Sequence, residues 1–203
     1  MRLGIDLDGC CYGFVPSLAH FIYLDTGRKD FPPHTCYDFY SVDWGYTLDE
    51  FLDFCHRGVD AGVVFGFGEP LTDSRETLIR LKEAGHSLHF VTDRRLGSPG
   101  RSEEVTLGWL ERVGIPYDTL TVSKDKTVVP TDLFVDDKPE NVDALRGVGC
   151  QAWMLLDQER LPDGRKDQDG HPYMIRTWGD FEQKVKEYCS SDSVVTLSAG
   201  KMP

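Results

Sequence analysis

Met1-Arg-Leu-Gly-Ile-Asp6-Leu-Asp8-Gly9 opens the chain, and its reading decides the fold. A short apolar run stops at two aspartates spaced i and i+2, with a glycine after them. In an extended strand, side chains two apart point the same way, so Asp6 and Asp8 are expected to share a face. Two adjacent carboxylates repel each other unless a cation lies between them or one holds a proton. A hard, oxygen-seeking ion such as Mg²⁺ is the natural partner. The plainer alternative is a strand ending in a solvated acidic turn.

Two further apolar runs end in the same manner. Ser87-Leu-His-Phe-Val91 runs into Thr92-Asp93-Arg94-Arg95, and Asp132-Leu-Phe-Val135 runs into Asp136-Asp137-Lys138-Pro139-Glu140-Asn141. Between them lies Lys124-Asp125-Lys126-Thr127. Three predicted strands thus carry polar, charged residues at their carboxyl ends. In open parallel α/β sheets that edge is where ligands bind.

Taken in order, Asp6-x-Asp8-Gly9, Thr92, Lys126 and Asp136-Asp137 resemble the four motifs of the haloacid dehalogenase (HAD) superfamily of phosphotransferases. Within it, Asp125-Lys126-Thr127-Val128-Val129, Asp132-Leu133 and the aspartate pair are similar in spacing to the 5'(3')-deoxyribonucleotidases. Phe14 stands where that family carries an aromatic, and Ile175-Arg-Thr-Trp178-Gly-Asp180 resembles its final strand-to-helix segment. The likeness spans residues 1–15 and 75–188. It departs at Thr92-Asp93-Arg94-Arg95, where those nucleotidases usually follow the threonine with a small hydroxyl residue and proline.

The resemblance implies a Mg²⁺-dependent phosphomonoester hydrolase working through an aspartyl-phosphate. Asp6 would be the nucleophile. Asp8 would protonate the leaving oxygen and later activate water. Mg²⁺ would sit between Asp6, the backbone carbonyl of Asp8, and Asp137, with Asp136 orienting Asp137 or a bound water. Which of Asp136 and Asp137 touches metal stays open, and the pair could equally cap the helix that Pro139 starts. Thr92 would donate its hydroxyl, and Asp93 its backbone N–H, to a phosphoryl oxygen. Lys126 would neutralise the charge shared by Asp6 and the phosphate, with Lys124 as a near competitor. Arg94 and Arg95 either clamp a phosphate or a second anion, or face solvent. Phe14, Trp44, Tyr46 and Phe65 either stack on a nucleobase or form the core of a cap, with Phe14 the first candidate for contact and Trp44 another.

The 203 residues suit one α/β domain with an insertion. A net charge of −12 and a pI near 4.8 argue against general binding to nucleic acid or anionic membranes. A small phosphorylated substrate remains compatible, because a metal and a few cations can reverse the field inside one cleft. The six cysteines show no CxxC pair, and no leader-like pattern opens the chain, so reduced thiols and a cytoplasmic location are expected. Cys10 and Cys11 read as space-fillers rather than nucleophiles. No run approaches transmembrane length, and a homodimer is among the states the sequence allows.

Alternating strands and helices predict a doubly wound parallel sheet, with a small, mainly helical cap after the first strand. The core is expected over residues 1–13 and 69–189, the cap over 14–68, and a mobile tail over 190–203. Helices are predicted at Phe14–Leu24, Leu48–Arg57, Asp73–Ala84 with an Asp73/Glu76 capping box, Ser102–Val113 with Ser102 as N-cap, Glu140–Arg146 and 179–188. Strands are predicted at 119–122 and 150–156, and a loop or hairpin at 157–172.

A 5'-nucleotidase acting on (deoxy)nucleoside monophosphates is the leading reading. A polynucleotide 3'-phosphatase, favoured by the arginines but not by the acidity, and a sugar-phosphate phosphatase are alternatives of the same chemistry. A phosphomutase would need an activating bisphosphate. A catalytically silent binding module is the alternative of another class.

Overall fold

The computed structural model describes residues 1–156 and 170–199, without the side chains of 191–199. Six parallel strands form one sheet in the order β3-β2-β1-β4-β5-β6. They are β1 (Arg2–Ile5), β2 (Ser87–Thr92), β3 (Thr119–Val122), β4 (Leu133–Asp136), β5 (Gln151–Leu155) and β6 (Met174–Ile175). The chain moves outward from β1 to β2 and β3, then returns to lay β4 on the other side of β1. Order reverses beside β1, and that is where an open sheet leaves a crevice at its carboxyl edge.

The central strands β1, β2 and β4 are short and mostly buried because both sheet faces are covered there. Leu3, Ile5, Leu88, Phe90, Leu133 and Val135 belong to the larger hydrophobic layer, shared with the helices α4 (Ser74–Glu83), α5 (Arg101–Val113) and α7 (Trp178–Ala199). Val91, Phe134, Ala152 and Met154 form a second layer with Val142 and Leu145 of α6 (Pro139–Gly147). Gly4 lets β1 and β4 meet on that side: a Cβ there would lie 2.1 Å from the Phe134 ring. Pro139 opens α6 as expected, since its fixed φ and missing N–H suit the first helical turn.

Three helices lie between β1 and α4, in the stretch expected to form a cap: α1 (Phe14–Thr26), α2 (Phe39–Val42) and α3 (Leu48–Asp60). Helix α3 packs on α1 and α5. Its start is fixed by a capping box absent from the sequence reading, in which Thr47 Oγ1 accepts from Glu50 N and Glu50 Oε2 accepts from Thr47 N.

Two predicted caps differ. Asp73 precedes α4 in the left-handed region (φ 61°) and makes no side-chain cap bond, so Asp73/Glu76 is not a capping box. Gly100, at φ 78°, supplies the left-handed turn into α5, and Ser102 lies inside the helix with its hydroxyl donating to the Arg94 carbonyl. The α7 backbone is helical through Ala199, past the start of the expected tail. Most of the expected 157–172 loop and residues 200–203 fall outside the described residues.

Asp118, just before β3, ties three elements. It accepts from Lys82 Nζ of α4 at 2.6 Å and from the backbone N–H of Leu88 in β2 at 2.7 Å. The Lys82 bond first, and then the Leu88 bond, hold its carboxyl below the usual range. A depressed folded-state value stabilises the protein above the unfolded carboxylate pKa, and that stability disappears as pH falls through the folded value. Asp118→Asn is therefore expected to lower the urea midpoint at pH 7, with the wild-type and variant midpoints converging in acid. Gly4→Ala, which drives a methyl into Phe134, is expected to cost about 1–3 kcal/mol in the same unfolding measurement.

Candidate active site

The chain leaves β1 after Ile5, and Asp6 N–H still donates to Val135 O at 2.9 Å, which places the Asp6 side chain beside the end of β4. Asp136 is the last residue of β4, and Asp137 follows it. One carboxylate oxygen from each of Asp6, Asp136 and Asp137 lies within 4.8 Å of the others, and all three residues are buried. Lys126, in a single 3₁₀ turn (Lys126–Val128) that Asp125 caps, sends its ammonium into this group. Its Nζ is 2.7 Å from Asp6 Oδ1, 2.7 Å from Val91 O and 3.9 Å from Asp136 Oδ2. Burial would lower the lysine pKa, but Asp6 and then Asp136 outweigh it, so the ammonium stays charged. Burial and then Asp6 push the Asp136 carboxyl upward, while Lys126 opposes them.

Asp136 and Asp137 occupy different environments. Asp136 is fully buried, accepting from Asn141 Nδ2 at 2.9 and 3.0 Å and from Lys138 N–H at 2.9 Å. Asp137 lines a cavity. Gly9 shapes the turn over it with φ 79°, and a Cβ at that position would come 2.5 Å from Asp137 Oδ2.

Thr92 ends β2 with its hydroxyl buried and without a hydrogen-bond partner among the described residues. An orphaned buried hydroxyl is costly unless a bound group completes it. Three hard oxygen donors around one point exceed the single charge of Lys126, so the donor set fits a divalent cation. The orphaned Thr92 hydroxyl, a donor, fits an acceptor such as a phosphoryl oxygen, and Thr92 is buried and not among the residues that line the cavity.

Asp8 does not join the three-carboxylate cluster. The N–H groups of Cys10, Cys11 and Tyr12 fold back onto Leu7 O, so the chain turns right after Asp8, yet Asp6 and Asp8 line the same cavity. Both Asp8 oxygens face Arg94 instead, with Nε at 3.1 Å from Oδ2 and Nη2 at 2.8 Å from Oδ1. Arg94 is fully buried and lies off the cavity wall, which corrects its expected place as a substrate contact. Trp44 is a second correction. It is buried among Phe31 and Phe39 with Nε1 donating to Pro32 O, and it serves the packing of the helices above the sheet. Arg95 reaches the cavity but pairs with Asp93 at 2.7 Å.

The cavity over the cluster has a volume of about 480 Å³. Asp6, Asp8, Asp93, Asp137 and Lys138 form its floor, and Phe14, Phe39, Tyr40, Phe51 and Phe65 its walls. Phe14, a candidate for base contact, is one of these rings. Lys138 Nζ lies 3.4 Å from the centroid of the Tyr37 ring and ties the two sides of the cavity. Tyr40 and Phe51 stack with centroids 4.4 Å apart. Neither Tyr40 and Phe51 nor Asn141 was singled out from the sequence. Asn141 had a signal, because a helix started by Pro139 turns its first residues back toward the strand end. Tyr40 and Phe51 had none. Cys10 and Cys11 are buried, and burial first, then neighbouring carboxylates, raise both thiols well above their usual pKa, so neither supplies a thiolate.

Solved structures with this fold include a defluorinating L-2-haloacid dehalogenase, 13% identical with a TM-score of 0.57 over 91% of this chain and 94% of that one. They also include a "putative HAD-hydrolase" of Bacillus subtilis bound to magnesium, 12% identical with a TM-score of 0.58 over 91% and 98%. Both likenesses are of the fold. The chain belongs to the family described as "5' nucleotidase, deoxy (Pyrimidine), cytosolic type C protein", whose model matches residues 1–167. A curated relative from Chlorobaculum tepidum, named "Putative 5'(3')-deoxyribonucleotidase", is 30% identical over 152 residues, covering 72% of this chain and 74% of its own. The protein is a HAD-type phosphatase. No helix among the described residues is long and apolar enough to cross a membrane.

Gly9→Ala is expected to fold with a loss of about 1–2 kcal/mol, from the left-handed backbone. It should lose turnover roughly 100-fold, because the methyl displaces Asp137. Melting temperature and phosphate release separate the two effects.

Proposed function

We propose that this chain is a Mg²⁺-dependent 5'-nucleotidase that hydrolyses (deoxy)nucleoside monophosphates through an aspartyl-phosphate. The observation that carries this reading is the buried Asp6–Asp136–Asp137 cluster with Lys126, set directly beneath an aromatic-walled cavity of about 480 Å³. That volume lies within the range of sites that enclose one small ligand. Aromatic faces suit a flat base, and the enclosed floor suits its phosphate.

Asp6 and Asp137 would hold the ion with the Asp8 carbonyl, while Asp136, already bound by Asn141 and Lys138 N–H, would orient Asp137. The bound ion would supply charge neutralisation to the phosphoryl oxygens. Asp6 attacks phosphorus, and the bond to the leaving oxygen breaks. Asp8 gives that oxygen a proton. The Asp8 carboxylate then takes a proton from water as the water attacks the phosphorylated Asp6, which returns as carboxylate when phosphate departs. Lys126 stabilises the added negative charge next to Asp6. Thr92 Oγ and the Asp93 N–H bind a phosphoryl oxygen.

The polynucleotide alternative drew on Arg94 and Arg95. One is committed to Asp8 and the other to Asp93, so neither is a ready clamp for a nucleic-acid backbone. A cytoplasmic location is in keeping with six free cysteines.

Purified protein with Mg²⁺ should release phosphate faster from nucleoside 5'-monophosphates than from sugar phosphates or 3'-phosphorylated oligonucleotides. Asp6→Asn should abolish release, a fall of at least roughly 1,000-fold in kcat. A preference for sugars or oligonucleotides would overturn the substrate. Release unaffected by Asp6→Asn would overturn the mechanism.

A further inference from the structure

We propose that Arg94 is a positioning residue for proton transfer, holding the Asp8 carboxyl group in the cavity floor in the orientation that delivers its proton to the leaving oxygen. The inference rests on the role of Asp8 in the proposed function.

Arg94 is fully buried, yet it is held on every side. Nε and Nη2 form a two-pronged contact with the two Asp8 oxygens, and Nη1 donates to Thr106 Oγ1 of α5 at 3.0 Å. The guanidinium carbon lies 4.6 Å from the Tyr12 ring centroid and 4.3 Å from that of Phe65. Phe65 adopts φ 70°, a left-handed conformation that aromatic residues rarely take. Strain of this kind persists only where the surroundings impose it. The Arg94 carbonyl is held as well, by the Ser102 hydroxyl.

The pair is lopsided in a way that a structural ion pair need not be. Arg94 has no exposed side-chain surface, while the Asp8 side chain is 25% exposed and lines the cavity. A buried ion pair is a poor way to gain stability, since well-packed apolar residues often do as well. What the fork adds is orientation: two parallel N–H···O bonds remove rotation of the carboxylate about its own axis. Each carboxylate oxygen has two acceptor sites, so the fork leaves one on each for a proton or a substrate. Proton transfer depends steeply on placement, and a shift of 1 Å can cost roughly 100-fold. Arg95, one residue on, cannot replace Arg94 because it is exposed and bonded to Asp93.

The test uses leaving groups that differ in their need for a proton. Phenyl phosphate expels a phenol with a pKa of about 10, like the tyrosine side chain. 4-Nitrophenyl phosphate expels a far more acidic phenol that departs unprotonated. A nucleoside 5'-monophosphate expels an alkoxide, which needs the proton most. kcat/KM reports the step in which the leaving oxygen departs. Arg94→Met is expected to lose roughly 100-fold on the nucleotide, less on phenyl phosphate and least on 4-nitrophenyl phosphate. Arg94→Lys, which keeps the charge but lacks the fork, should show the same order. In an Asp8→Asn background, adding Arg94→Met should change nothing further.

Equal losses on all three esters, or restoration by lysine, would overturn the inference. So would a further loss in the Asp8→Asn background. If Arg94→Met does not fold, as judged by its melting curve, Thr106→Val loosens the same guanidinium. It should give a smaller loss with the same order, and an equal loss on all esters would again overturn the idea. Wild-type turnover of the aryl esters without the nucleotide would overturn the nucleotide reading alone. Wild-type turnover of none would overturn both.

Discussion

Three buried carboxylates within 4.8 Å of one another repel strongly, and the organisation of this molecule can be understood as the means of holding them together. One comes from the end of β1 and two from the end of β4, so the cluster requires those strands to be neighbours in register. Lys126 must reach it from the turn after β3, and its ammonium also caps Val91 O in β2. The strand order that reverses beside β1 satisfies these demands at once. Gly4 and Phe134 belong to the same requirement, because β1 and β4 can close on each other only when one lacks a side chain where the other carries a ring.

Charge is handled differently at the two aspartates of the opening motif. Asp6 is paid out to the cluster, facing Lys126 and the two later carboxylates. Asp8 lies outside the three-carboxylate cluster and has a partner of its own in Arg94. Two carboxylates two residues apart thus receive unlike surroundings, which is the arrangement an acid–base pair of distinct roles needs.

The sheet and the cluster were legible because their signals are local. The three central strands are apolar runs ending in charged turns, and the positions of Asp6, Thr92, Asp136 and Asp137 follow once those runs are laid side by side. Arg94 and Trp44 were misplaced because their surroundings are assembled from distant sequence. Arg94 meets Tyr12, Phe65 and Thr106, and Trp44 meets Phe31 and Pro32, and no periodicity announces such meetings. Asp73 and Ser102 failed as caps for a related reason. Residue type suggests a cap, but the left-handed turns at Asp73 and Gly100 decide the entry of the chain.

The cavity joins two parts of the chain that answer to different constraints. Its floor is fixed by strand ends, where a shift of one residue would turn every side chain to the other face. Its walls are rings on α1, α2 and α3 and on the turn at Phe65, which pack by shape and tolerate exchange of one apolar residue for another. Divergence among descendants of this fold can therefore run at two speeds, with the wall drifting toward new ligands while the floor keeps the same reaction.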